Sequence, residues 1–112
     1  MTVDPDLRFF IDASQLDDGG GVLVAVSGEL DIATSPNLHA VLERELLARD
    51  RVELDLSNVE FIDSTGLSVI ITSSEQAPSW GSTLLLRNEL SPQVHRLLSM
   101  VGVMARLTFV EP

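Results

Sequence analysis

Residues 51–71 read RVELDLSNVEFIDSTGLSVII, and two different periods meet inside them. Val52, Leu54 and Leu56 alternate with Glu53 and Asp55, the period-two pattern of a strand with one apolar face and a second face at least partly open. From Ser64 the spacing changes, and Leu67, Ile70 and Ile71 form an apolar stripe of the kind a helix buries. Asp63, Ser64, Thr65 and Gly66 stand at the join, small and polar between two segments that both read as buried. They pose a choice between a helix cap, supplied by Ser64 or a neighbour, and a hydroxyl presented for chemistry.

The rest of the chain extends the alternation in both directions. Residues 22–27 (VLVAVS) predict a strong strand and residues 7–16 (LRFFIDASQL) a more uneven one, with the flexible connection DDGGG at 17–21 making them a hairpin. Ser35 suits a cap and Pro36 a first turn, after which Leu38, Val41, Leu42 and Leu46 recur at helical spacing until about residues 48–50. Downstream, QAPSWG at 76–81 stops the second helix and STLLLR at 82–87 reads as a strand. The run LLL at 84–86 would suit burial on both faces. Ser91 and Pro92 open a third helix with the stripe Val94, Leu97, Leu98 and Val101, ended by Gly102, and residues 107–110 are short and extended.

This order predicts an α/β fold. Its first strand pair is antiparallel, and its later strands are parallel and joined by right-handed helical crossovers, with the helices mainly on the face opposite Glu53 and Asp55. The 112 residues suit one domain, with residues 1–6 a flexible lead-in.

Composition removes several functions. Seventeen acids against seven Lys and Arg give a net charge of -10, a field that repels nucleic-acid phosphates and anionic membrane surfaces and is compatible with a basic protein partner. With no cysteine there is neither a disulfide framework nor a thiolate nucleophile. The two histidines, His39 and His95, lie far apart and read as surface or packing residues rather than as a base or metal ligands. Met100 and Met104 need no cofactor to explain them, and Trp80 reads as a loop residue tucked against the core or as an interface anchor. The N-terminus lacks the pattern of a secretion signal and no apolar run reaches the ~20 residues of a membrane span, so a cytoplasmic protein is expected.

At the join itself, the first amides of a helix have no internal partner and the aligned peptide dipoles favour negative charge. A phosphate on Thr65 or Ser64 could meet those donors, while Asp63 would repel it, and that tension suits a switch. The tetrad lacks the GxxxxGK[ST] run of a nucleotide-binding loop and the GxSxG of an esterase elbow. No base, metal cluster or nucleophile triad accompanies the hydroxyls, so an enzyme is not expected.

GELDIATSPNL (28–38), DLSNVEFIDSTGL (55–67) and LSPQVHRLLSMVGV (90–103), in that order and spacing, resemble the bacterial anti-sigma factor antagonists of the STAS-domain family. The resemblance runs from about residue 22 to residue 109 and implies a curved mixed sheet flanked by helices. It also implies a partner, an anti-sigma factor with serine/threonine kinase activity that phosphorylates the antagonist and thereby releases it, and a separate phosphatase that restores the binding form. Carried onto this chain, Thr65 becomes the phosphorylated residue, with Ser64 the runner-up and otherwise a capping or supporting hydroxyl. Asp31, Asp63, Ser64, Thr65, Gly66 and Leu67 become the partner-binding set, with no catalytic residue, cofactor or metal. A STAS domain also resembles adaptor subunits of transport or signalling-scaffold complexes that undergo no phosphorylation, and that alternative stays open on sequence grounds.

Overall fold

Among the described residues, six strands make one sheet in chain order, β1 (Thr2–Asp4), β2 (Phe9–Gln15), β3 (Val22–Leu30), β4 (Arg51–Ile62), β5 (Thr83–Arg87) and β6 (Phe109–Val110). This is a computed structural model describing residues 2–4, 8–17 and 19–112. The first three strands pair antiparallel and β3 to β6 pair parallel. Helices α1 (Ser35–Ala48), α2 (Ser64–Gln76) and α3 (Pro92–Val101) supply the three parallel connections, so the mixed α/β arrangement expected from the alternation is the one observed. Residues 2–4 of the expected lead-in are strand β1, paired with β2 in the register Thr2↔Ile11. Residues 1, 5 and 6 of that lead-in, with Leu7 and Asp18, lie outside the described residues.

The strands end where their apolar pattern ends, but β3 and β4 run further than strict alternation predicts. Leu56, Val59 and Ile62 are all buried although they lie three residues apart. Two register shifts between β3 and β4, at Ala25/Ser27 and at Gly28/Glu29, insert the extra residues that return each apolar side chain to the same face. As a result Leu30 and Ile62 face each other in register at the ends of adjacent parallel strands. Both are buried, and α1 and α2 pack against each other beside them.

Glu53 departs from the expectation of an open second face. It is 4% exposed and sits between Arg51 and Arg87, whose guanidinium groups approach its two carboxylate oxygens at 2.5 and 2.9 Å. Burial pushes its carboxyl up, but the hydrogen bonds and charges of the two arginines outweigh that and hold it below its ordinary range. The LLL run resolves by alternation, with Leu84 and Leu86 buried and Leu85 half-buried.

Of the expected caps, Ser91 holds and Ser35 does not. Ser91 caps α3 through its hydroxyl, which accepts from the Val94 amide at 3.4 Å, and Gly102 closes that helix with a φ of 70°. Ser35 does not cap α1: it is the first helical residue, and its hydroxyl turns back to donate to the Asp31 carbonyl. The third case, at α2, belongs to the site. Trp80 closes a 3-10 turn after α2 and packs, partly buried, against the core.

Candidate functional site

The C-terminal ends of β3 and β4 carry an aspartate each. Asp31 follows Leu30, Asp63 follows Ile62, and the Asp63 amide donates across to the Leu30 carbonyl at 3.2 Å. Ligand and partner sites of parallel sheets gather at such strand ends, where the loops entering the next helices are free to vary. Here the two loops deal with the same residue types in different ways.

The Asp31 loop folds its polar groups inward. Asp31 Oδ1 accepts from the amides of Ala33 at 2.9 Å and Thr34 at 3.2 Å. The Thr34 hydroxyl accepts from the Asp31 amide at 2.9 Å and donates to the Glu29 carbonyl at 2.8 Å. Thr34 is 0% and Ser35 5% exposed, so neither hydroxyl faces outward. Ile32 is 76% exposed and projects an apolar side chain from the tip of the loop.

The Asp63 junction turns its hydroxyls outward. Asp63 is the cap of α2, with an extended backbone, and its Oδ1 accepts from the amides of Thr65 at 2.9 Å and Gly66 at 3.2 Å and from the Thr65 hydroxyl at 2.5 Å. Of the alternatives the sequence left open, Ser64 or a neighbour, the cap is the neighbour, Asp63. A carboxylate one residue earlier takes both amides with one oxygen, which leaves Ser64 as the first helical residue, exposed. Partial burial pushes the Asp63 carboxyl up, but the bonds from the Thr65 hydroxyl and from the Gly66 and Thr65 amides outweigh it and hold the group below its ordinary value of 3.8.

Thr65 is half-buried, and its oxygen lies 3.2 Å from the Ser35 oxygen of the neighbouring helix. A hollow of about 510 Å³ opens there, lined by Ile32, Ser35, Pro36, His39, Ser64, Thr65, Ser68 and Val69. Gly66 and Leu67 are buried beneath it. A Cβ on Gly66 would come within 2.7 Å of Leu30 Cγ and 2.9 Å of its carbonyl oxygen, so only glycine lets α2 seat against the end of β3. The expected residues Asp31, Asp63, Ser64, Thr65, Gly66 and Leu67 therefore converge on one edge of the molecule. The sequence reading missed Ser35 and Ile32. The Ser35–Thr65 contact spans 30 positions and has no signature in either segment.

The three segments that carried the resemblance also fall within a match to a protein family. Residues 11–110 match the family described as "Mlab, STAS domain". The chain belongs to the STAS-domain family.

Within the family, the chain is 34% identical over 86 residues to an anti-sigma F factor antagonist of Paenibacillus polymyxa, covering 75% of this chain and 73% of that one. It is 29% identical over 82 residues to an anti-sigma-B factor antagonist of Bacillus subtilis, covering 73% and 74%. Among solved structures, an anti-sigma factor antagonist from Mycobacterium paratuberculosis superposes with a TM-score of 0.78 at 25% identity, covering 99% of this chain and 91% of that one. The unphosphorylated form of SpoIIAA, at 16% identity and a TM-score of 0.68, shares the fold over 92% of this chain and 89% of that one.

Proposed function

We propose that this protein is a cytoplasmic anti-sigma factor antagonist. Its partner is an anti-sigma factor with serine/threonine kinase activity, and phosphorylation of Thr65 by that partner ends the complex. The observation that carries the reading is the Thr65 hydroxyl, held at 2.5 Å from Asp63 at the rim of an outward-opening hollow, in a chain whose curated relatives bear the antagonist name. Unphosphorylated, the protein occupies the anti-sigma factor and leaves the sigma factor free. A separate phosphatase returns the phosphorylated form to that state.

In the transfer, the terminal phosphoryl group of ATP bonds to Thr65 Oγ1, the bond to the departing ADP breaks, and the hydroxyl proton passes to a base. Nucleotide and magnesium are the partner's to supply, and this chain is a substrate rather than an enzyme. The product adds about -1.5 to -2 charges beside Asp63 and Asp31. Asp63 Oδ1 already occupies the Thr65 and Gly66 amides, so those donors are not free to neutralise the new phosphate. Its charge and bulk stay on the contact surface formed by Asp31, Asp63, Ser64 and Thr65, with Gly66 and Leu67 supporting it from below. That gives a direct physical reason for release.

Mapping the phosphate after incubation with the kinase-type anti-sigma factor and ATP tests the reading. Thr65 should carry it in the wild-type and Ser64→Ala proteins, and Thr65→Ala should carry none. Equal labelling of Thr65→Ala would overturn the assignment. Recovery of transport-complex subunits, with no kinase bound, would favour the adaptor role.

A further inference from the structure

Among the described residues, one side chain able to carry positive charge lines the hollow beside Thr65, and it is His39. It follows Ser35 by four positions on α1, so the two share a face, and Ser35 Oγ stands 3.2 Å from Thr65 Oγ1. Helices α1 and α2 leave the ends of the neighbouring parallel strands β3 and β4, so they start at the same edge of the sheet and run back side by side. Helical side chains lean toward their own N-terminus, which carries the imidazole toward the level of Thr65. His39 is exposed and has no hydrogen-bond or ion-pair partner among the described residues, although Glu43 follows it by one turn.

Charge narrows where a phosphate on Thr65 goes. The esterified Oγ1 has no proton left for Asp63, and the carboxylates of Asp63 and Asp31 repel the phosphate from the strand-end side. The hollow is the opposite environment. No carboxylate lines it, the exposed Ser68 lies three positions along α2 from Thr65, and Ile32, Pro36 and Val69 form apolar walls that weaken screening by water.

We propose that His39 is the partner of a phosphate on Thr65, an imidazolium from α1 that draws the phosphate into the hollow between the two helices. The proposal rests on the reading of Thr65 as the phosphorylated residue and adds where the phosphate lies. The about -1.5 to -2 charges of a phosphate exceed the single positive charge of an imidazolium, so the surface is still more negative than before transfer. The phosphate also covers the apolar walls that the unphosphorylated protein presents. Release then has two causes, added charge and a filled hollow. Only the protonated ring forms the pair, so the contact weakens as pH rises.

Genetic encoding of phosphothreonine at position 65 of the full chain makes the test independent of any kinase, and phosphorus and imidazole nuclear magnetic resonance read it. The phosphate should pass from monoanion to dianion with a midpoint about half a pH unit lower in the wild-type phosphoprotein than in His39→Gln, the size expected of one exposed charge pair. His39→Lys keeps a cation on the same helical turn and should restore the low midpoint. The imidazole resonances of His39 should move on phosphorylation while those of His95, on α3, stay in place. Both substitutions change an exposed side chain, so the fold tolerates them, and a merely structural histidine would not separate lysine from glutamine in the phosphate titration. Equal midpoints in the three phosphoproteins overturn the proposal, as does a response of His39 no larger than that of His95. Whether a kinase modifies Thr65 is decided separately by mapping the phosphate. A failure there defeats the proposed function and leaves the result of the titration standing.

Discussion

The entries to α1 and α2 use nearly the same residues to opposite effect. DIATSP at 31–36 and DSTG at 63–66 each begin with an aspartate just past the end of a parallel strand, and each offers two hydroxyls. After Asp31 the chain takes three more residues before the helix starts at Ser35, enough for the aspartate to close a small loop and for Thr34 and Ser35 to turn inward. After Asp63 the helix starts at once, so the aspartate becomes the cap and the hydroxyls fall on the first turn, one exposed and one half-buried. Residue type sets what each side chain can bond to. The distance from strand end to helix start sets which way it faces.

The largest expected effect comes from breaking the inward loop. Thr34→Val keeps the shape but leaves the Asp31 amide and the Glu29 carbonyl without the hydroxyl that serves both, and should cost about 1–3 kcal/mol in urea unfolding. Gly66→Ala forces a methyl group against Leu30, an overpacking cost of about 1–3 kcal/mol, from which the better helix propensity of alanine subtracts up to about 1. Asp63→Ala removes the cap and should cost about 0.5–2 kcal/mol.

Smaller effects sharpen the comparison. Ser64→Ala should change stability by no more than about 0.5 kcal/mol, because the exposed Ser64 caps nothing; a loss near that of Asp63→Ala would return the cap to Ser64. Acid titration isolates the Asp63 charge. The folded group lies below its ordinary value of 3.8, so the ionised carboxylate contributes stability that is present above that value and lost as pH falls through the lower folded one. Asp63→Asn keeps an acceptor at the cap but does not titrate, so its stability should fall less than the wild type's over that acid limb. Glu53 titrates in the same direction in both proteins and cancels from the difference.

Much of this was legible in the sequence because the signals were local. Leu38, Val41, Leu42 and Leu46 at helical spacing, and Ser91, Pro92 and Gly102 around the third stripe, located α1 and α3, and the alternation of elements gave the mixed sheet. What escaped depends on partners distant in the chain. Glu53 read as lying on an at least partly open face because Arg87, which helps bury it as an ion pair, lies 34 positions on. The run of β4 to Ile62 was hidden because bulges break the period that a strand reading relies on. At the site the residues were found but their roles were not all separable. Serine and aspartate are both good caps, and only the extended backbone at Asp63 decides between them.

Binding and release of a kinase-type anti-sigma factor by the wild-type, Thr65→Ala and Thr65→Glu proteins tests the outward-facing hydroxyl most directly. Before ATP is added, wild type and Thr65→Ala should bind alike, and Thr65→Glu should bind more weakly, since a carboxylate supplies part of a phosphate's charge at the same place. On adding ATP and magnesium, the wild-type complex should dissociate while the Thr65→Ala complex persists. Dissociation of Thr65→Ala at the wild-type rate, with phosphate found elsewhere on the chain, would contradict the account.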